Sequence, residues 1–146
     1  GYVYGKPFYS WPGNPAHDGV RKGVGANIKD TDLEPLYQTF LLGTTRYRLD
    51  VPEGKYEIAL HFTEPFNGNE RKDSKRCGTD GNGDRVFDVS VNGTVCIPNL
   101  NLTQEYGEQR AVSKMIIVDT DKGLEVELVP VKGKPVISGL SIKKLL

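Results

Sequence analysis

The chain has 146 residues, 37% hydrophobic and 26% charged, with 19 basic and 19 acidic side chains and a formal net charge of zero. That length suits one folded domain burying roughly 68–70% of its unfolded surface, and the charge balance lacks the basic excess that a nucleic-acid partner requires. No apolar run reaches the ~18 residues of a membrane-spanning helix, and Gly1–Ser10 has neither the basic start nor the apolar centre of a signal peptide.

The first eleven residues are rich in rings: Tyr2, Tyr4, Phe8, Tyr9 and Trp11. They read as an edge strand packed on the core, with Tyr9 or Trp11 as an exposed stacking platform the second-line reading. Ser10–Lys29 is dense in Gly, Pro and Asn and reads as irregular loop. His17 and Asp18 lie there with no second histidine in reach, which is ordinary loop polarity. The start GYVYGKPFY reads as part of a longer protein.

Asp30–Leu33 suits a single helical turn, because Asp and Thr are good N-caps. Leu36, Gln38 and Phe40 alternate with Tyr37, Thr39 and Leu41, which predicts a strand ending before Gly43. Arg46–Glu64 carries the clearest pattern. Tyr47, Leu49 and Val51 form one apolar row, and Tyr56, Ile58, Leu60 and Phe62 form another. Val51-Pro52-Glu53-Gly54 between them supplies a turn, so the segment reads as a β-hairpin with one apolar and one polar face.

From Pro65 to Asp84 the alternation stops. A polar loop of that length beside a core strand is a common place for binding groups. Asp80, Asn82 and Asp84 put oxygens at alternate positions, as in the opening of a Ca²⁺ loop, but Arg85 and Val91 stand where an EF-hand requires Gly and Glu. Ca²⁺ is therefore a secondary candidate against no cofactor at all. Cys77 and Cys96 are the only cysteines, and the sequence leaves open whether they pair or stay free.

Val86–Val91 is a strand, Asn92-Gly93 a type I′ turn and Thr94–Ile97 its partner. Asn92-Gly93-Thr94 and Asn101-Leu102-Thr103 fit the N-glycosylation pattern, relevant only in a eukaryotic secretory pathway. Pro98–Arg110 is a polar connection carrying Tyr106. Strands over Val112–Val118, Leu124–Val129 and Val136–Ile142 follow. About nine strands without a convincing amphipathic helix predict an all-β fold of two packed sheets.

Catalytic signatures are absent: the sequence has no G-x-S-x-G, no C-x-x-C and no paired histidines, and Gly23-Val24-Gly25 lacks the setting of a dinucleotide site. Glu64, Glu70, Asp73 and Asp84 lie near the loop, yet nothing in the sequence pairs them across a cleft as glycoside hydrolysis requires. Recognition of a neutral polyhydroxylated ligand fits better. Sugar C–H faces pack on rings, and sugar hydroxyls bond to Asn, Asp, Glu, Arg and Lys. Phe66 and Tyr106 have loop positions suited to that task.

LYQT (Leu36–Thr39), YRLDVPEGKYEIALHFTE (Tyr47–Glu64), RVFDVSVNG (Arg85–Gly93) and VPVKGKPVISGLSI (Val129–Ile142), in this order, resemble the malectin and malectin-like domains. The resemblance covers residues 34–142 and leaves 1–33 as edge strand and loop of a single domain spanning 1–146. It implies a jelly-roll β-sandwich akin to galactose-binding-like domains. It also implies a non-catalytic carbohydrate-binding module appended to a secreted or periplasmic glycoside hydrolase, plausibly β-galactosidase-like. The partners expected are an oligo- or polysaccharide and the other domains of the parent enzyme. The ligand-facing set is Phe66, Asn67, Glu64 and Tyr106, with Trp11 and Tyr37 behind them. The alternative is a structural domain packing on its parent without a sugar site. The chain departs from the family pattern at three places: Asn67 replaces a second ring after Phe66, Leu42 stands where a tyrosine follows LYQT, and Gly133 replaces an aspartate before the last strand.

Overall fold

The computed structural model describes residues 2–5, 20–23, 25, 27–43 and 45–146. Among these, eleven strands form three antiparallel sheets. The strands are β1 (Tyr2–Gly5), β2 (Val20–Gly23), β3 (Thr39–Leu42), β4 (Thr45–Leu49), β5 (Gly54–Phe62), β6 (Val86–Val91), β7 (Thr94–Leu100), β8 (Val112–Thr120), β9 (Leu124–Lys132), β10 (Val136–Ile137) and β11 (Gly139–Leu145). One sheet runs β1-β11-β5-β8, a second β4-β9-β6-β7, and a small third β10-β3-β2. The two large sheets pack face to face as a sandwich. Its core holds Tyr56, Ile58, Leu60 and Phe62 of β5, Leu140 and Ile142 of β11, Phe87, Val89 and Val91 of β6, and Val126 and Leu128 of β9. The fold is all-β.

The two rows of the Arg46–Glu64 segment do bury, but the segment is no hairpin. β4 pairs with β9 in one sheet and β5 pairs with β8 and β11 in the other, so Val51–Glu53 arches across the core. Alternation shows which face is buried. It does not show whether the facing strand is a hydrogen-bonded neighbour or lies across the sandwich. Asn92 and Gly93 adopt φ of 50° and 83°, as the type I′ turn between β6 and β7 requires.

Three short helices were not anticipated: α1 (Glu34–Gln38), α2 (Ser74–Cys77) and α3 (Leu102–Tyr106). The predicted strand over 36–41 therefore begins only at Thr39. Pro in the first turn of α1 and the Gln38 side-chain bond to Glu34, at 3.0 Å, favour the helical turn over the alternation. The helical turn expected at 30–33 accordingly starts later, with Thr31 Oγ1 accepting from Leu33 N at 2.9 Å. The run Val136–Ile142 breaks at Ser138, and its two halves join different sheets.

β1 and β8 are the edges of the first sheet. On β8, Met115 lies opposite Ala59 and Ile117 opposite Glu57, facing away from the core, and both are 60% exposed. No helix among the described residues is long and apolar enough to cross a membrane.

Candidate functional site

The site is built where three segments meet beyond the end of β5. Lys29 N donates to Gln109 O and Ala111 N to Lys29 O, both at 2.9 Å, while Gln109 N donates to Glu64 O at 2.8 Å. Residues 29, 64–65 and 109–111 are thereby zipped together. The Gln109 side chain reaches Pro65 O at 3.3 Å, and Arg110 pairs with Asp30 at 2.8 Å.

At the base lies a buried ion pair. Arg85 Nε donates to Glu64 Oε1 at 2.8 Å and Nη2 to Oε2 at 3.3 Å, with both side chains at 2% exposure or less. Arg85 also donates to Lys134 O and Cys77 O, each at 2.7 Å. One planar fork thus joins the strand end at Glu64, the end of α2 and the β9–β10 turn. It satisfies a buried carboxylate in the geometry that guanidinium favours. Glu64, expected to face a ligand, instead holds the loops in place.

Phe66 is 3% exposed, not open to solvent. Its ring meets Phe40 edge-on at 5.7 Å, and the Arg76 guanidinium lies over it at 5.6 Å. In this conformation it offers no face for stacking. Asn67 is half-buried and forms a reciprocal pair with Glu70: Asn67 N donates to Oε1 at 3.1 Å, and Glu70 N donates to Asn67 Oδ1 at 2.9 Å. That pair starts a 3₁₀ turn at Glu70–Lys72. Arg71 Nη1 bridges Phe66 O at 2.7 Å and Glu108 at 2.9 Å, pinning the turn to the chain after α3. The long loop is therefore structured by its own polar side chains.

Tyr106 is the one predicted ligand residue with an exposed ring among those described, at 37%. It ends α3, which Asn101 caps through Gln104 N at 3.1 Å. Lys114 bonds the phenol oxygen, and its ammonium lies 4.8 Å from the ring centroid. Tyr37 is buried against the outer side of β5, its hydroxyl 2.9 Å from His61 Nδ1. Burial raises the Tyr37 pKa and lowers that of His61. Tyr9 and Trp11 lie outside the described residues.

Asp80 Oδ1 accepts from Asp84 N at 2.8 Å and Asn82 N at 2.9 Å. The Asp84 bond in particular holds the Asp80 carboxyl below its usual pKa. The alternating oxygens here close a turn on themselves. No cluster of three or more His, Cys, Asp or Glu side chains suited to a metal occurs among the described residues. Cys77 is buried and Cys96 exposed on β7, both free, and burial pushes the Cys77 thiol up.

Sequence reasoning missed Arg85, Arg71 and Arg76. The first had a signal, since a charged residue directly abuts an all-apolar strand start; the other two had none beyond their loop position.

The Malectin domain family matches residues 11–143. The chain belongs to the malectin domain family. No curated protein matches it significantly. Among solved structures, this malectin domain is similar to a β-glucuronidase of Bacteroides uniformis, with 26% identity, a TM-score of 0.76 and coverage of 90% of this chain and 14% of that one. It shares its fold with the ANXUR1 extracellular domain from Arabidopsis thaliana, at 14% identity and a TM-score of 0.65 over 85% of this chain and 38% of that one. A plant complex of the peptide RALF23 with FER and LLG2 gives 17% identity and a TM-score of 0.66, covering 86% and 39%. The chain thus spans about one seventh of the glucuronidase and two fifths of the plant chains.

Proposed function

We propose that this malectin domain is a non-catalytic carbohydrate-binding module carried in a longer polypeptide with a glycoside hydrolase, and that it works outside the cytoplasm, in a periplasm or as part of a secreted protein. The match to the malectin family over most of the chain carries this reading. The similarity to a glucuronidase of which it covers 14% supports the hydrolase context more than the β-galactosidase-like parent that the sequence motifs imply. The binding face is the loop end. There Tyr106 supplies a ring, and the half-buried Glu108, Gln109 and Asn67 supply the polar atoms left over from their bonds to Arg71, Pro65 O and Glu70.

The test is calorimetric titration of the domain with oligosaccharides, using Tyr106→Ala as the informative variant. Phe66→Ala is unsuitable, because it removes a buried ring. Sugar binding that weakens in the Tyr106 variant upholds the reading. Absence of binding across neutral and acidic oligosaccharides refutes it.

A second reading is favoured by Met115 and Ile117: a domain that packs against its parent through the outer face of β8. Under it, joining the domain to its parent protects β8 amides from hydrogen exchange, and the loop end stays unprotected by any sugar.

A further inference from the structure

A strand at the rim of a sheet leaves a row of amide and carbonyl groups unpaired, and proteins guard such rims with shortness, charge, Pro or a bulge. Three of the four rims of the two large sheets are guarded in this way. β1 has four residues and β4 has five, the latter including Arg46 and Arg48. β7 carries Pro98 and pairs with β6 through two register shifts. β8 is different. It is nine residues long, holds no Pro, and pairs with β5 residue for residue without a shift. Its one basic side chain, Lys114, is drawn to the Tyr106 hydroxyl. Lys29 pairs with residues 109–111 just before it, and the chain turns off at Asp30, whose φ is 67°. Among the described residues no further strand lies beyond β8.

The sequence of β8 is also complementary to itself. Two antiparallel copies centred on Ile116 pair all nine residues. Met115 then stands opposite Ile117 of the second copy, Ile117 opposite Met115, and Ser113 opposite Asp119 at either end. On the inner side Ile116 meets Ile116, and Lys114 meets Val118, so no like charges oppose each other. Sliding the copies by two residues sets Asp119 opposite Met115 or beyond the end of the strand. Opposed residues share a face in this register, so both sandwiches lie on one side of a continuous sheet and the pair closes about a two-fold axis. The apolar groups it brings together are available. Met115 and Ile117 are each 60% exposed, while Ile116 and Val118 are only partly buried at the flank of the core.

We propose that the edge of β8 is a self-association surface, which takes β8 of a second copy of this chain, antiparallel and centred on Ile116. The contact is one strand long, so the dimer is concentration-dependent, with a Kd on the order of micromolar or weaker. It stands independently of the carbohydrate reading.

The experiment is analytical ultracentrifugation of the whole chain from low micromolar to near-millimolar concentration, with two double variants. Met115→Lys/Ile117→Lys sets Lys opposite Lys at two places in the pair, whereas Met115→Glu/Ile117→Lys sets Glu opposite Lys at both. The two variants replace the same exposed side chains, and circular dichroism confirms that each is folded. The expected result is a mass that rises with concentration from 16.1 kDa towards twice that value. The Lys/Lys variant weakens the dimer roughly tenfold or more, and the Glu/Lys variant keeps it. Hydrogen exchange of the β8 amides slows as the wild-type chain is concentrated. A monomer at every concentration overturns the proposal, including the case in which β8 becomes protected only within a longer chain, where a neighbouring segment takes the edge. A dimer that the Lys/Lys variant leaves intact also overturns it, by placing the contact elsewhere. Equal loss in both variants overturns the Ile116-centred pairing, and species larger than a dimer overturn the two-fold closure.

Discussion

Arg85 is the residue whose loss should matter most. It is 3% exposed and makes four bonds into three segments. Replacing it with Met leaves Glu64 buried and unpaired, so unfolding in denaturant should show a loss of about 3–5 kcal/mol. Tyr47 runs the other way. Its hydroxyl is buried with no partner, and burial raises its pKa far above the usual phenol range. Removing the oxygen as Tyr47→Phe should leave stability unchanged or raise it by up to about 1 kcal/mol, checked by the same measurement. His61 adds a pH dependence. Its folded pKa lies below the ordinary 6.5, so the unfolded chain binds the proton more readily. Its contribution is complete above pH ~6.5 and is lost as pH falls from there through the folded pKa. Urea midpoints at pH 7.5 and 5.5 should diverge more for the wild type than for His61→Asn; equal divergence refutes the assignment. None of these three roles was legible in the sequence, which shows what a side chain is and not what stands beside it.

At the scale of elements, the alternating rows in β5, β6, β8 and β9 were readable because period two survives wherever one face is buried. Pairing was less readable. Tyr47 and Ile58 look like hairpin neighbours, yet they belong to different sheets, since burial alone satisfies both arrangements. The short helices were hidden for another reason: four or five residues are too few to establish a 3.6-residue period against the alternation around them. Gly133 shows what an element boundary can demand. It has φ of 66°, and a Cβ would lie within 3.0 Å of Gly78 O, Asp80 N and Asp84 O. Gly133→Ala should destabilise by about 2 kcal/mol or more and loosen the turn carrying Lys132 and Lys134, seen as a lower thermal midpoint. Any side chain at this position would meet the same wall.

At the scale of the molecule, the two ends of the sandwich and its flanks divide the work. The loop end gathers Tyr106, Arg76 and the buried Arg85 hub, while the outer face of β8 shows Met115 and Ile117 to solvent. Substituting both by Lys should change the stability of the isolated domain by no more than about 0.5 kcal/mol each. If β8 docks on the parent, the same double variant should detach the domain in a proteolysis assay of the longer chain.

The register of the first sheet has a consequence for how the protein comes into being. β5, one of its two inner strands, pairs Ile58 with Ile116 of β8 and Ile142 of β11, and β1 pairs Val3 with Ile142. Ile58 therefore leaves the ribosome 58 residues ahead of its β8 partner Ile116 and 84 residues ahead of its β11 partner Ile142. Sequence separations of this size make sheet closure slow and leave β5 exposed in the interval. The nascent domain should depend on chaperones until the final strand is released, whatever the finished fold's stability.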